Sequence, residues 1–311
     1  MYLRGKVSAK DWGDMYLQEN HDIFVEKWGD FMKKNSQKIV KWILIGISVL
    51  FFLLMLVLPL LEVIVRALAD GLQAYQAALT EENTLSALKV TLIATVIAVA
   101  VNTVFGLVAS WLVTKFDFRG KNVLSALIDI PFSISPVIAG LAYIMTFGRS
   151  GWAKPVIDGI NEALGTDIAL VFSVPAVVLA TIFVTFPFIS REIIPVLYTQ
   201  GREEEEAAAM MGASGFTVFR KITFPHIRWG LLYGMILCAA RAFGEFGAVY
   251  AVSKARGKTF TLPLEIDALY MAGSADSITQ AFAVSSLLVG MALIMLILKN
   301  IVEYRGKRND R

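Results

Sequence analysis

Between Trp42 and Leu61 the chain reads WILIGISVLFFLLMLVLPLL, a run with no charged residue. About 20 such residues make a helix long enough to cross the hydrocarbon core of a bilayer, and this run is one of several. Lipid offers backbone N–H and C=O groups no partner, so each crossing segment must be helical. Six spans are predicted, roughly Lys41 to Leu61, Val90 to Val113, Ala126 to Phe147, Ala169 to Ile189, Gly230 to Val252 and Ala281 to Leu298. An all-α membrane protein is the expectation. The composition agrees, being 56% hydrophobic and only 18% charged.

Lys and Arg residues set the orientation. Lys27, Lys33, Lys34, Lys38 and Lys41 precede the first span, Lys115, Arg119 and Lys121 fill the second connection, and Arg191, Arg202, Arg220, Lys221 and Arg228 the fourth. These segments, and the tail with Lys299, Arg305, Lys307, Arg308 and Arg311, belong in the cytoplasm, which puts both termini there. The first connection (Asp70, Glu81, Glu82) and the third (Arg149, Lys154, Asp158, Glu162, Asp167) then lie outside. The fifth connection disagrees: alternation places it outside although it carries Lys254, Arg256 and Lys258. Three regions follow: a cytoplasmic extension over 1–38, a permease domain over 39–300 containing a loop at 202–229, and a tail over 301–311. In the extension, Trp12, Tyr16, Ile23, Phe24, Trp28 and Phe31 recur at helical spacing. That pattern suits an interfacial amphipathic helix, and a solvated tail fits equally.

Segments outside the membrane are too short to enclose a soluble catalytic domain, and the lone Cys238 excludes a disulfide framework. No metal-ligand cluster, Ser/His/Asp arrangement or basic stripe for nucleic acid stands out. The sequence lacks the G-x-x-x-x-G-K-[ST] loop that cradles nucleotide phosphates.

The most informative soluble stretch is REEEEAAAMMGASGFTVFRKITFPHIRWG, Arg202 to Gly230. Glu203 to Glu206 open a helix at its positive dipole end, Ala207 to Met211 are strong helix formers, and Gly212-Ala213-Ser214-Gly215 supply a turn. A second helix puts Phe216, Phe219 and Ile222 on one face and is predicted to end at Pro225. Such an apolar face needs either a partner groove or the bilayer surface.

The spacing of Glu206-Ala207-Ala208, Gly212, Ile222 and Pro225 resembles the EAA loop of permease subunits in binding-protein-dependent ATP-binding-cassette (ABC) importers, with Phe224 replacing the usual leucine. Type I importer permeases of this kind have a MetI-like fold of transmembrane helices and a cytoplasmic coupling helix. The resemblance implies that Glu206, Ala207 and Gly212 contact an ATPase groove, with Ala208 and Ala213 as close-packing positions. It also implies several partners: two ATPase subunits that bind ATP and Mg, a second homologous permease forming a heterodimer, and an extracytoplasmic binding protein. The location implied is the bacterial inner membrane. Leu127 to Leu141, Thr181 to Leu197 and Ala240 to Val249 look like the oxyanion branch of these importers. With His226 to Gly234 they are most similar to its sulfate/thiosulfate permeases of the CysW type. A molybdate or tungstate importer is the alternative within the family, and an ion-gradient-driven transporter the alternative outside it.

Two intramembrane groups bear on cargo. Arg241 and Glu245, one turn apart in the fifth span, neutralise one another where a lone charge is costly, and fit a gate, a cation near the anion path that contacts substrate, or the support of a bend beside Gly244 and Gly247. Pro131 and Pro136 bracket Ser133 and Ser135 in the third span, which predicts a kinked or partly unwound helix. Its hydroxyls either face a cavity or bond to their own helix. Asp129 is expected at the cytoplasmic edge or paired with a basic residue, His226 in a structural role, and Cys238 as a buried, inert thiol.

Overall fold

A computed structural model describes residues 38–166 and 169–309. The reading of 1–37 and the placement of Asp167 and Arg311 lie outside the described residues. Helix α1, Lys38–Ala67, carries a π-helical turn at Leu53–Val57. A short α2, Gly71–Thr80, leads to α3, Glu82–Lys115. Then come α4, Lys121–Ser133, and α5, Pro136–Phe147, which meet at 109°. Beyond α6, Lys154–Leu164, the pair α7, Val174–Thr185, and α8, Pro187–Gln200, forms one long apolar unit. The loop hairpin comprises α9, Glu203–Met210, and α10, Gly215–Val218, which runs through a π-helical turn at Phe219–Thr223 into α11, Phe224–Phe243. Last are α12, Gly247–Val252, α13, Leu262–Met271, and α14, Ala275–Asn309.

Four helices among the described residues are long and apolar enough to cross a membrane, and the bent α4–α5 pair makes a fifth if taken as one span. Six uninterrupted spans are therefore not found. The third predicted span is broken at Ile134 and Ser135, where Pro136 bars the residue before it from helical geometry. The fifth is broken between Phe243 and Gly247, and the fourth is shifted toward Gln200. Arg191, expected in a connection, consequently sits inside α8. Pro225 does not end the hairpin's second helix either. It occupies the first turn of α11, and the π-helical turn just before it takes up the register change that a missing N–H imposes.

The core is built along one face of α3. Thr91, Thr95, Ala98, Asn102, Gly106, Ser110 and Thr114 recur every three or four residues and are all buried. Small and weakly polar residues at this spacing let membrane helices approach closely. Thr91, Ser110 and Thr114 donate to carbonyls one turn back, at 2.8, 2.6 and 2.7 Å. Asn102 Nδ2 donates across to Thr185 Oγ1 at 2.8 Å and lies 3.8 Å from the buried Cys238 Sγ, tying α3, α7 and α11 together.

The connections sort into two ends. At one, Ser86 Oγ donates to Gly257 O at 2.6 Å, and Arg256 lies 2.6 Å from the fully buried Glu265 and 3.9 Å from Glu81. Glu265 holds the Arg256 guanidinium pKa above its ordinary value. At the other end, Lys115 and Asp117 meet Glu205 and Arg202. First and fifth connections thus share an end, and second and fourth share the opposite one, as alternating crossings require. The discordant Arg256 is an internally neutralised residue, which removes its weight as an orientation signal.

Candidate functional site

Helix α9 ends in a two-bond cap that explains its motif. Ala213 N donates to Ala208 O at 3.0 Å and Gly212 N to Ala209 O at 2.9 Å, with Gly212 at φ +87°. This is the Schellman arrangement, which needs a residue free to adopt positive φ where Gly212 stands. Ser214 then accepts from Thr217 N at 3.4 Å and starts the next helix. Ala208 is buried, Ala213 half-buried, and Glu206, Ala207, Phe216 and Pro225 are exposed. Met210, Met211 and Phe216, at 90, 82 and 73% exposure, make an apolar tip. The expected single face divides: Phe219 turns inward, 6.4 Å from the Trp111 ring and 6.2 Å from Phe224, while Ile222 is half-buried. The π-helical turn at Phe219–Thr223 rotates these side chains off the face that an unbroken α-helix would give.

Residues outside the motif fasten the hairpin. Lys115 Nζ, at the end of α3, lies 3.0 Å from Glu205 Oε1 in a largely buried pair, and also donates to Gly201 O. Thr223 Oγ1 donates to the same Glu205 oxygen at 2.7 Å, so one carboxylate joins α3, α9 and the start of α11. Arg202 reaches Asp117 at 3.2 Å beside the Lys121–Asp117 pair, and the hydrogen bond from Lys121, then that from Arg202, lowers the Asp117 pKa from 3.8. His226 bonds Ile222 O at 2.8 Å and lies 3.7 Å from Glu204, in keeping with a structural role. The sequence marks Glu203 to Glu206 as a helix start and the resemblance gives Glu206 a docking role, but neither assigns Glu205 a partner. The basic residue closing α3 was the available signal for a partner.

Inside the membrane the two broken helices meet. Arg241 Nη1 lies 2.6 Å from Glu245 Oε2, and Glu245 Oε1 accepts from Ala248 N at 2.8 Å, capping α12 beyond the break. Glu245 is 1% exposed. A Cβ placed on Gly247 would stand 3.0 Å from Pro136 Cβ, and one on Gly140 would stand 2.7 Å from Ala248 O, so the α5 and α12 backbones are in direct contact. Ser133 and Ser135 are exposed at the α4–α5 break. Among the described residues neither hydroxyl bonds to its own helix, nor to Arg241 or Glu245. The structure thus joins Pro136 to the Glu245 break and leaves the two serines apart from it. Next to them opens an apolar cavity of about 380 Å³ lined by Ile134, Gly140, Tyr143, Phe183 and Ala248, whose walls suit acyl chains better than an anion. Asp129 is paired: Arg191 Nε donates to its Oδ1 at 2.9 Å, with the guanidinium 4.2 Å above the Phe132 ring. Among the described residues no three His, Cys, Asp or Glu side chains gather as metal ligands.

The family model for the inner membrane component of binding-protein-dependent transport systems matches residues 102–309. The sulfate transport system permease protein CysW of Escherichia coli (strain K12) is 43% identical over 272 residues, covering 87% of this chain and 90% of that protein. The protein of the same name from Synechococcus elongatus is 41% identical over 279 residues, covering 89% and 94%. The chloroplastic sulfate permease 2 of Chlamydomonas reinhardtii is 42% identical over 273 residues, covering 88% and 72%. Among solved structures, a bacterial ABC transporter that imports the acidic polysaccharide alginate superposes with a TM-score of 0.70 at 14% identity, over 89% of this chain and 98% of that one. At that identity the likeness concerns the fold.

Proposed function

The chain belongs to the inner membrane components of binding-protein-dependent transport systems, and from that premise we propose that it is the permease subunit of an ATP-driven importer of sulfate and thiosulfate. The observation that carries the reading is the hairpin: an apolar tip of Met210, Met211 and Phe216 stands free, while its base is fastened to α3 by Lys115 and Glu205. A tip of that kind needs a groove, and a base of that kind passes the groove's movement to the membrane helices.

In this reading the loop at 202–229 is the coupling element on the cytoplasmic side, and each ATP-binding-cassette subunit of a pair binds ATP and Mg outside this chain. Glu206, Ala207, Ala208, Gly212, Ala213, Phe216, Ile222 and Pro225 form or shape the contact, and both termini lie in the cytoplasm. A second, homologous permease completes the pathway, and an extracytoplasmic binding protein delivers the cargo. Sulfate is supported by the names of three relatives above 40% identity. Ser133, Ser135 and Pro136 line the pathway at the α4–α5 break. Arg241 and Glu245 act as a gate hinge through the α12 cap.

The experiment is uptake of labelled sulfate by a strain lacking this chain, with and without the restored gene, under competition from thiosulfate or molybdate and after ATP depletion or protonophore treatment. Sulfate uptake that needs the gene and ATP and resists molybdate supports the reading. Preferred competition by molybdate makes the cargo a different oxyanion, and uptake that survives ATP depletion but not the protonophore removes the coupling role altogether.

A further inference from the structure

The Asp129–Arg191 pair lies at a depth where an ion pair needs a reason. Where α8 passes Gly106 of α3, a Cβ on that glycine would stand 3.2 Å from Ile189 and 3.3 Å from the Ser190 hydroxyl, so Arg191 is level with Gly106. From Gly106 to Lys115 at the loop end the helix rises roughly 14 Å, so Arg191 stands about that far from the loop end, on a helix of the membrane-spanning domain. Yet the Arg191 and Asp129 side chains are 54 and 50% exposed. Charges at this depth face a water-filled cavity or another protein rather than acyl chains.

The surroundings narrow the choice. Glu192, the next residue, points the other way: its Cβ lies 3.4 Å from where a Cβ on Gly234 of α11 would sit. Arg191 spends only its Nε on Asp129, and among the described residues its two Nη groups make no hydrogen bond. A guanidinium fork matches two oxygens of a tetrahedral oxyanion. Phe132 lies 4.2 Å beneath the guanidinium and packs at 5.0 Å on Phe188, which fixes the height of the charge. Ser133 follows Asp129 by one helical turn on the same face, exposed at the break.

Building on the sulfate reading, we propose that Arg191 is the cation that receives the tetrahedral dianion inside the membrane, and that Asp129 is the built-in carboxylate that occupies it between passages. Asp129 keeps the guanidinium neutralised while the site is empty, and its repulsion keeps an arriving dianion from being trapped. Arg241 differs in its partner, since Glu245 is 1% exposed and also caps α12.

The test uses the whole importer in proteoliposomes, with labelled sulfate uptake and ATP hydrolysis read together for Arg191→Gln, Asp129→Asn and the double variant. Loss of one charge-assisted contact to the dianion is expected to lower uptake about tenfold or more in Arg191→Gln and in the double variant. Hydrolysis should still respond to the loaded binding protein, and Asp129→Asn alone, which leaves the guanidinium without its competing carboxylate, should lower both the half-saturating sulfate concentration and the maximal uptake, as expected of a dianion that is released slowly. The amide pair preserves the shape without the charges. Wild-type uptake by the double variant would therefore make the pair structural and overturn the assignment while leaving the sulfate reading intact. If the wild-type complex itself moves no sulfate, the reading fails and the assignment with it. A Ser133→Cys probe decides the matter even if a variant does not assemble, since Cys238 is buried. Labelling by a charged, impermeant thiol reagent, slowed by excess sulfate, is the expected result, and no labelling in any nucleotide state overturns the proposal.

Discussion

At the loop end, Lys115 and Glu205 lie 3.0 Å apart with side chains 5 and 16% exposed; at the membrane break, Arg241 and Glu245 lie 2.6 Å apart at 33 and 1%. The chemistry is the same, but the span is not. Lys115 and Glu205 come from different connections, so their bond ties the hairpin to the end of a 34-residue helix. Arg241 and Glu245 are one turn apart, so theirs ties a helix break to itself. The first can carry displacement from one element to another, whereas the second fixes a local shape. A charge pair's role here follows from what it bridges more than from how strong it is.

Breaking the membrane pair should have the largest effect. Glu245→Ala removes both the partner of Arg241, which stays one third exposed, and the α12 cap, and loss of hydrogen bonds to a charged group costs about 1.5–3 kcal/mol. Thermal melting of the detergent-solubilised complex should show that loss, with uptake abolished. Glu245→Gln keeps an acceptor for Ala248 N and should retain more, while the swap R241E/E245R should recover less than Glu245→Gln, because an arginine at 245 cannot accept that bond. Equal melting of all three would mean that the cap contributes nothing.

Next comes the hairpin turn. Gly212 sits at φ +87° with nothing within 4 Å of an added Cβ, so Gly212→Asp meets backbone strain of about 1–2 kcal/mol and places a charged side chain at the docking turn. Uptake should be lost while membrane insertion stays normal. Normal uptake would count against docking at this turn.

Loosening the latch should do less. Glu205→Gln weakens the bonds from Lys115 and Thr223, worth about 1.5–3 kcal/mol for a charged group. The comparison predicts that melting falls modestly and that sulfate moved per ATP hydrolysed falls with it, and a drop in melting with an unchanged ratio of transport to hydrolysis would mean that the latch only holds the fold. The smallest effect belongs to Asp117→Asn, whose own side chain is 74% exposed. Because its folded pKa is lowered, the Asp117 contribution is complete above the ordinary 3.8 and is lost only as pH falls below that through the lowered value. Uptake near neutral pH should therefore not register the change, and a pronounced neutral-pH defect would show that this outer pair also transmits motion.

Short-range information made much of this legible. The apolar runs required helices, Pro131 and Pro136 announced a break, and Gly212-Ala213-Ser214-Gly215 announced the turn that the structure closes as a Schellman cap. All of these act within a few residues of chain. Pro225 was misread because its effect depends on a π-helical turn that residue identity alone does not specify.

By itself, then, the sequence determined that the chain is a helical membrane protein with a motif-bearing hairpin and a charged pair one turn apart in its fifth span. Only the tertiary structure decided what the hairpin is fastened to and that Arg191 pairs with Asp129 from a helix interior. Asp129 and Arg191 are 62 residues apart, and the Lys115 bond to Gly201 spans 86. Contacts at such separations depend on how helices pack and where they break, because a helix fixes the direction of a side chain only relative to its own axis.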